Sequence, residues 1–437
     1  MTYPLSCGQE LMLAFSAEAG FPVSTWNHPT VFDLRDYDED EVRSAVRSIV
    51  DRHEVLRTRL GQLSGRHCQV VPGNCDDWVH RVALPANATP EELAAAEAAA
   101  PFALYDGPLA RSLVVPRAEG GARLILTYNH LVSDRKSEAL LAGELVARLE
   151  SPHEAPSARP PQFGEFARWE RAEVSRYSRS TEAVPRWRDY EELMRRLDPS
   201  AAPVQHPAGR VADARALVGI RFTEADLAAL TRCAKDQGVT LNVVVLTAFA
   251  AALSVLPGIG LLLGEKTVRS PYRFAGTAGP FSDLWAVDRS EVDGDVARGL
   301  ASVQRQVLRA IDGAMPFLLL VRRTRWLARE LVRPEHGRWA FYQYFADPPV
   351  RTGARVATVR FHDSFGVESG MFGLHAQVQR VAGGLTMRLT HRLDTLTARD
   401  VDALTDRIQT LLSRMTEHAI DLDRTEPRLL TADGHTA

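Results

Sequence analysis

The residues with the clearest chemical potential in this sequence are His130 and Asp134, which stand four positions apart just after an apolar run. The run, Leu124 to Tyr128, predicts a strand, and the leucines from Leu140 to Leu149 predict a helix after the intervening turn. A histidine at a strand end with a carboxylate across the next turn suits acid–base catalysis, because one group can move a proton while the other fixes the ring or the loop. A structural interpretation competes with this one. In it, Ser133 or Asp134 caps the helix and His130 is an ordinary half-buried ring.

Other segments of the chain have the residue types and spacing of known motifs. They are Leu5-Ser-Cys-Gly-Gln9, Arg52-His-Glu-Val-Leu-Arg-Thr-Arg59 and Pro101 to Arg111, with weaker matches at 163–169, 279–281 and 315–317. In this order they resemble the blocks of the condensation domains of nonribosomal peptide synthetases, a branch of the chloramphenicol-acetyltransferase-like acyltransferases. The family's His-His-x-x-x-Asp-Gly signature is present in a variant form. Asn129 replaces the first histidine and Arg135 the glycine, whereas the histidine assigned to catalysis is retained as His130.

The resemblance implies an α/β fold, an α+β sandwich in which two acetyltransferase-like subdomains form a pseudo-dimer around a central channel. We expect the first subdomain at residues 1–175, with the His-x-x-x-Asp site, and the second at 176–437, because proline-rich breaks interrupt the pattern at 151–161 and 198–209. The second half repeats an order seen around His130: a glycine turn at 383–384, a strand ending at His391, and a helix from Ala398 to Met415. His391 lacks an acid four positions later, so we predict a structural role for it.

The resemblance also implies a function. Such an enzyme joins an acyl or aminoacyl thioester, bound to a carrier protein, to an amine or alcohol in natural-product and antibiotic biosynthesis, and we expect a free-standing one here. His130 would remove or hold the acceptor's proton, and Asp134 would hold the loop through an ion pair with Arg269. The expected substrate-binding residues are Asn129, Arg135, Asp283 and Trp285. Arg135 in particular would favour a substrate that bears a carboxylate, unless it turns to water or to a protein acid.

The expected partners follow from the same resemblance. They are an acyl or peptidyl carrier protein, which supplies the phosphopantetheine, and an acceptor that is either a small molecule or carrier-bound; no bound cofactor or metal is expected. Arg322, Arg325, Arg329 and Arg333 fall near helical spacing and could dock an acidic carrier, although a solvated basic face explains them more simply. The donor acyl group, the acceptor and the choice of amide or ester stay open.

Two other functions remain compatible with the motifs. Asn129 and Arg135 could mark a degenerate, non-catalytic protein that recruits carrier-bound intermediates. Epimerisation of a carrier-bound aminoacyl group would share the same signature.

Size and composition set wider limits. The chain has 437 residues, 45% hydrophobic and 24% charged, with a net charge of −3, which predicts two domains and gives no reason to expect a nucleic-acid partner. The four cysteines lack zinc-ligand spacing. The longest apolar run, Val243 to Leu256, is shorter than a membrane span and predicts a buried helix. We therefore expect a cytoplasmic protein with no membrane partner.

Overall fold

The structure is a computed structural model in which the chain divides into two units. It describes residues 1–430 except 20–22, 24–25, 74–78, 82–88, 118–119, 155–157, 180–182, 198–213, 268, 270, 291, 293–294, 313–314, 332–338, 347–349, 362–371 and 382–383. The first unit comprises Met1–Ala183, Arg269–Ser282 and Pro349–Val367. The second comprises Val184–Val268, Asp283–Pro348 and Glu368–Ala437.

Helices and strands are interspersed along the described parts of the chain. Up to residue 196 they are β1 (Thr2–Pro4), α1 (Cys7–Ala19), β2 (Asn27–Leu34), α2 (Glu39–Arg52), β3 (Arg59–Leu63), β4 (Arg66–Val70), β5 (Val79–Arg81), α3 (Pro90–Ala99), β6 (Ala110–Pro116), β7 (Ala122–Asn129), α4 (Arg135–Glu150), α5 (Phe163–Arg179) and α6 (Ala183–Arg196). Beyond it they are β8 (Arg215–Phe222), α7 (Glu224–Asp236), α8 (Leu241–Ala252), β9 (Leu261–Thr267), β10 (Ser282–Val287), α9 (Val296–Asp312), α10 (Phe317–Arg323), α11 (Arg325–Leu331), β11 (Trp339–Phe345), β12 (Val356–Phe361), β13 (Leu374–Val381), β14 (Gly384–Arg392), α12 (Ala398–Thr416), β15 (Asp423–Arg424) and β16 (Arg428–Leu430).

The sheet that carries the candidate site lies in the first unit and has the strand order β12-β2-β7-β6-β5. Its central strand β7 is antiparallel to β2, with Asn27 opposite Asn129 at one end and Leu34 opposite Ala122 at the other. Side chains alternate between the two faces of a strand. On one face Ile125 packs with Val31 and with the α3 residue Leu93. The predicted strand and the helix after it are therefore present, as β7 and α4.

The glycine turn predicted before β7 is also present. Gly120 and Gly121 have φ angles of +96° and +76°, in the left-handed region that favours glycine. A side chain at Gly121 would collide with the backbone of Leu34 and Arg35.

The segments that make up the first unit do not coincide with the expected first subdomain, residues 1–175. The continuous part of this unit runs to Ala183, and two later segments join it. In one of them, β12 pairs antiparallel with β2 and forms an edge of the first sheet. In the other, Arg269 pairs with Asp134. Neither association leaves a local pattern in the sequence, because both depend on pairing between residues far apart in the chain.

The second unit is built on one large sheet with the order β10-β9-β11-β13-β14-β8-β15, and β16 also pairs with β8. Helix α8 is apolar all round and buried from Val243 to Ala252, which confirms the predicted buried helix. The predicted strand before His391 and helix after Ala398 are β14 and α12, while Gly383 lies outside the described residues. The chain from Phe163 to Arg196 contains two separate helices, α5 and α6.

No single helix in the described ranges is both long and apolar enough to cross a bilayer. The helices Glu224–Asp236 and Leu241–Val255 meet the length and composition criteria only jointly, with a bend of 100° between them.

Candidate functional site

His130 follows the last residue of β7 and is held by its backbone and by one ring nitrogen. Its backbone N–H donates to the carbonyl of Trp26 at 2.7 Å. Its Nδ1 lies 2.8 Å from the carbonyl oxygen of Ser133. A carbonyl only accepts hydrogen bonds, so Nδ1 carries the proton and Nε2 of the neutral ring presents a lone pair. Within the described part of the chain Nε2 has no hydrogen-bond partner, which is the arrangement that a general base requires.

The turn that carries His130 is clamped by the first helix. Gln9 and Ser6 bond reciprocally, since the Ser6 amide donates to Gln9 Oε1 at 2.9 Å and the Gln9 amide donates to Ser6 Oγ at 3.1 Å. The amide nitrogen of the Gln9 side chain, Nε2, donates to the carbonyl of Leu131 at 2.7 Å. The Leu-Ser-x-x-Gln segment therefore fixes the start of α1 and the turn after β7 at once.

Asn129 is fully buried and all of its side-chain contacts are within the protein. Its Nδ2 donates to the carbonyl of Val23 at 2.7 Å and to Oδ1 of Asn27 at 3.0 Å. Its Oδ1 accepts from the amide of Leu131 at 3.1 Å. These bonds use the donors and the acceptor of the amide within the protein, and the predicted substrate contact stays a prediction. Asn129 anchors the turn on which His130 stands.

Asp134 is the N-cap of α4, and both of its oxygens are occupied. Oδ1 accepts from the amide of Ser137 at 2.7 Å and from Nη2 of Arg269 at 3.0 Å. Oδ2 accepts from the amide of Phe281 at 3.0 Å. The structure thus contains the ion pair expected between Asp134 and Arg269, and both side chains are less than 10% exposed. A carboxylate that accepts these three hydrogen bonds holds a loop in place and is not a proton donor to substrate.

Arg135, the residue in the glycine position, has protein partners. Its guanidinium carbon lies 3.9 Å from the centroid of the Phe361 ring. Its Nη1 lies 3.7 Å from Oε2 of Glu138, one turn further along α4. Of the three outcomes open for this arginine, namely water, a protein acid or an anionic substrate, the structure supplies the protein acid. The predicted carboxylate-binding role stays a prediction.

Two residues near His130 were not predicted from the sequence. The ring of His28 is stacked on that of His130, with centroids 4.9 Å apart and an interplanar angle of 24°. Nδ1 of His28 lies 2.7 Å from Oε1 of Glu138. One sequence feature points to this pair: Glu138 stands on the buried stripe of α4 together with Leu141 and Leu145. A carboxylate on a buried helix stripe needs a partner, and a histidine within a strand can supply it.

Asp283 and Trp285, the other two predicted substrate-binding residues, lie on β10 in the second unit. Burial raises the pKa of the Asp283 carboxyl, although Lys266 at 3.4 Å acts in the opposite direction. Asp283 also accepts from the amide of Phe317 at the start of α10. The indole of Trp285 packs where a side chain on Gly264 would otherwise stand. These contacts are structural, and the predicted substrate roles stay predictions.

The Arg-His-Glu segment joins the end of α2 to α4. Arg52 Nε and His53 Nε2 each lie 2.9 Å from Oε2 of Glu144 on α4. Glu54 accepts from Arg159 at 2.9 Å. The most specific motif of the sequence therefore supports the site by fixing α4, which begins at Arg135.

The predicted arginine face falls on two helices, since α10 ends at Arg323 and α11 begins at Arg325. Arg333 lies outside the described residues. A docking role for this face stays a prediction. The residues that the structure describes contain no group of three or more histidine, cysteine or acidic side chains that could hold a metal ion.

The chain belongs to the condensation-domain family, whose family model matches residues 1–432. It is 28% identical over 340 residues to the probable non-canonical nonribosomal peptide synthetase CymA of Salinispora arenicola, an alignment that covers 73% of this chain and 4% of that protein. It is 32% identical over 268 residues to the phosphinothricin tripeptide synthetase PhsB of Streptomyces viridochromogenes, covering 57% of this chain and 22% of that protein. The chain spans less than a quarter of the length of these two curated relatives.

Solved structures show the same fold. The condensation domain of the monacolin K polyketide synthase MokA matches with a TM-score of 0.75 and 16% identity, over 97% of this chain and 99% of that one. The epimerization domain of tyrocidine synthetase B, TycB3(E), matches with a TM-score of 0.68 and 17% identity, over 96% and 97%. At this level of identity the structures show the fold alone. They confirm the predicted mixed fold of helices and sheets, of the chloramphenicol-acetyltransferase-like kind. Condensation domains are acyltransferase-type enzymes that work with carrier-bound substrates.

Proposed function

We propose that this protein catalyses condensation. It joins an acyl or aminoacyl thioester, held on the phosphopantetheine arm of a carrier protein, to an amine or alcohol acceptor, giving an amide or an ester. The observation that carries the proposal is the ring of His130, whose Nδ1 is bonded to the Ser133 carbonyl at 2.8 Å. That bond fixes the tautomer that leaves Nε2 basic.

The reaction needs one base that also acts as an acid. As the acceptor attacks the thioester carbonyl carbon, its N–H or O–H proton passes to Nε2 of His130. The tetrahedral intermediate then collapses, the C–S bond breaks, and the proton moves from Nε2 to the leaving thiolate of phosphopantetheine. A placed histidine contributes about 10²–10⁴ in rate to such a step, and alignment of the two substrates supplies much of the rest.

In this proposal Asp134 and Asn129 position the base and do not touch substrate. The three hydrogen bonds of the Asp134 carboxylate, one of them within the ion pair with Arg269, fix the start of α4, and the amide of Asn129 fixes the turn. The two departures from the family signature thus have structural explanations. Asn129 is matched by Asn27, and Arg135 is matched by Glu138 and Phe361. For this reason we prefer an active enzyme to a degenerate, non-catalytic one.

To test the proposal, the protein is incubated in D₂O with a separate carrier protein and with amines or alcohols as acceptors. The carrier is loaded with each of a panel of acyl and aminoacyl groups. Intact-protein mass spectrometry follows the carrier. Loss of the acyl group with a matching amide or ester in solution or on a second carrier supports condensation by an enzyme that takes its donor from a separate protein.

Two results would overturn the proposal. Deuterium entering the aminoacyl group without a new bond would identify an epimerase, a class whose fold this chain shares. Carrier binding with neither change across the panel would identify a non-catalytic recruiting protein.

A further inference from the structure

A second group of ionisable side chains, which the reaction above does not use, lies beside His130. His28 on β2 is stacked on the His130 ring at 4.9 Å, and its Nδ1 lies 2.7 Å from Glu138. Glu138 in turn lies 3.7 Å from Arg135. His28 is 5% exposed and Glu138 is 2% exposed. The three residues in this chain of contacts, His28, Glu138 and Arg135, therefore have little access to water.

The charges of this group balance. A buried carboxylate without compensation is costly, and Arg135 brings one positive charge near the negative charge of Glu138. An ionised carboxylate only accepts hydrogen bonds, so the proton between His28 and Glu138 belongs to Nδ1 of His28. The bond from Nδ1 of His28 to Glu138 therefore fixes the orientation of the His28 ring.

Two neighbouring residues of β2 support the end of β7 from its two faces. Successive strand residues point to opposite faces of the sheet. Asn27 bonds to Asn129 at 3.0 Å, and its Nδ2 also donates to the carbonyls of Ala98 and Ala100 at the end of α3. On the other face, His28 stacks on His130 and meets α4 through Glu138. One strand thus fixes both the backbone turn and the ring that stands on it.

Building on the proposed condensation activity, we propose that His28 and Glu138 are positioning residues for His130. The His28 ring fixes the plane of the His130 ring, and Glu138 fixes the His28 ring. The bond from Nδ1 of His130 to Ser133 restrains the ring at one edge only. The stack restrains the rotation that remains, and a displacement of about 1 Å at a reacting atom costs up to ~10²-fold in rate.

The kinetic test compares variants that separate the ring from the ion pair. We expect His28→Ala to lower kcat about 10–100-fold while KM changes less than roughly threefold, because alignment of the base acts on the chemical step. The double variant His28→Phe with Glu138→Met keeps a flat ring and removes the buried pair as a unit, and we expect it to recover most of the kcat. His375→Phe is the matched control, since His375 is a buried histidine stacked on Phe341 at 5.0 Å in the second unit.

A pH profile distinguishes positioning from simple structural support. Among the described residues, the charged groups near the start of α4 include Arg135, Glu138 and Asp134, with Arg269 paired to Asp134, and the titratable ring of His28 on β2 is stacked on His130. Burial raises the pKa of the Tyr128 hydroxyl well above its usual value, so that group stays neutral. Glu138→Gln removes one negative charge from the group of side chains beside His130. Protonation of His130 then becomes harder, and the acid limb of kcat/KM should move to lower pH by about 0.5 unit or more.

A measurement without substrate separates this inference from the proposed function. In protein with ¹⁵N-labelled histidine, the Nδ1–H proton of His130 should exchange with solvent at least about tenfold faster in His28→Ala than in wild type and in His375→Phe. If wild type proves inactive but this exchange rises, the positioning stands and the proposed function fails. If His28→Ala keeps wild-type kcat and wild-type exchange, or if His375→Phe shows the same losses, the positioning role is wrong.

Discussion

Asp134 and Arg269 stand 135 positions apart in the sequence, and their side chains lie 3.0 Å apart in the first unit. Arg269 also donates to Ser137 Oγ at 2.8 Å and lies over the ring of Phe281. The pair therefore ties the start of α4, and with it the turn of His130, to the segment Arg269–Ser282.

The first prediction concerns this pair. Asp134→Ala removes a helix cap and leaves Arg269 buried without its acid, so we expect the free energy of unfolding to fall by about 3–5 kcal/mol. Asp406→Ala is the control, because Asp406 pairs with Arg424 at an exposed position and such a pair is worth about 0–1 kcal/mol. Denaturant unfolding measures both. Equal losses in the two variants would contradict the role given to Asp134.

The second prediction concerns substrate selectivity at Arg135. Since its guanidinium is engaged with Glu138 and Phe361, we expect Arg135→Gly to lower kcat/KM for anionic and neutral acceptors by the same factor, within about threefold. A competition assay with a carboxylate-bearing amine and its amide analogue measures the ratio. A selective loss of the carboxylate-bearing acceptor would instead establish the substrate contact predicted from the sequence.

The third prediction is a pH dependence of stability. Burial acts to raise the pKa of the Glu144 carboxyl, but hydrogen bonds and charge from His53 and Arg52 outweigh it and lower the pKa below 4.5. A lowered carboxyl pKa stabilises the folded state above the unfolded pKa, and this contribution is lost as the pH falls through the folded value. Glu144→Gln should therefore lower the melting temperature at pH 7, and the difference should shrink below pH 4.5. If the difference in melting temperature between the variant and wild type stayed constant down to pH 3, roughly one unit below the usual carboxyl pKa, the prediction would be contradicted.

The fourth prediction concerns a buried histidine, whose pKa is lowered because burial disfavours its charged form. Burial lowers the pKa of His391 from 6.5 to about 4, despite the charge of Asp400. Because the unfolded chain binds this proton first, stability falls as the pH drops from 6.5 towards 4, by at most about 3 kcal/mol. His391→Phe should remove part of this acid sensitivity. Thermal unfolding between pH 7 and pH 4 measures it, and an unchanged slope in the variant would contradict the assignment.

Much of the fold was predictable because its signals are local. The apolar run before His130 and the buried run from Val243 each belong to one element whose pattern is visible in the sequence. The spacing of His130 and Asp134 indicated the candidate site for the same reason. The role of Asn129 could not be predicted from the sequence, because its hydrogen-bond partner Asn27 lies on another strand.

What the sequence did not reveal depends on contacts across the chain. Strand β12 belongs to the first sheet although it is far from β2 in the sequence. Its Thr358 donates a hydrogen bond to Asp33, which lies 325 residues earlier in the chain. His28 is one histidine of 13, and only its register opposite Tyr128 and its distance to Glu138 single it out. Glu138 alone carried a usable signal, as a carboxylate on a buried stripe.

The central claim is that Nε2 of His130 moves the proton in the condensation reaction. The most direct measurement is the single-turnover rate of product formation from an acyl-carrier substrate with His130→Ala, beside wild type and His153→Ala, which changes an exposed histidine. We predict a rate lower by about 10²–10⁴-fold in His130→Ala, an unchanged melting temperature, and a wild-type rate in His153→Ala. A His130→Ala enzyme within roughly threefold of the wild-type rate would contradict the claim, since a lost general base cannot leave the chemical step intact.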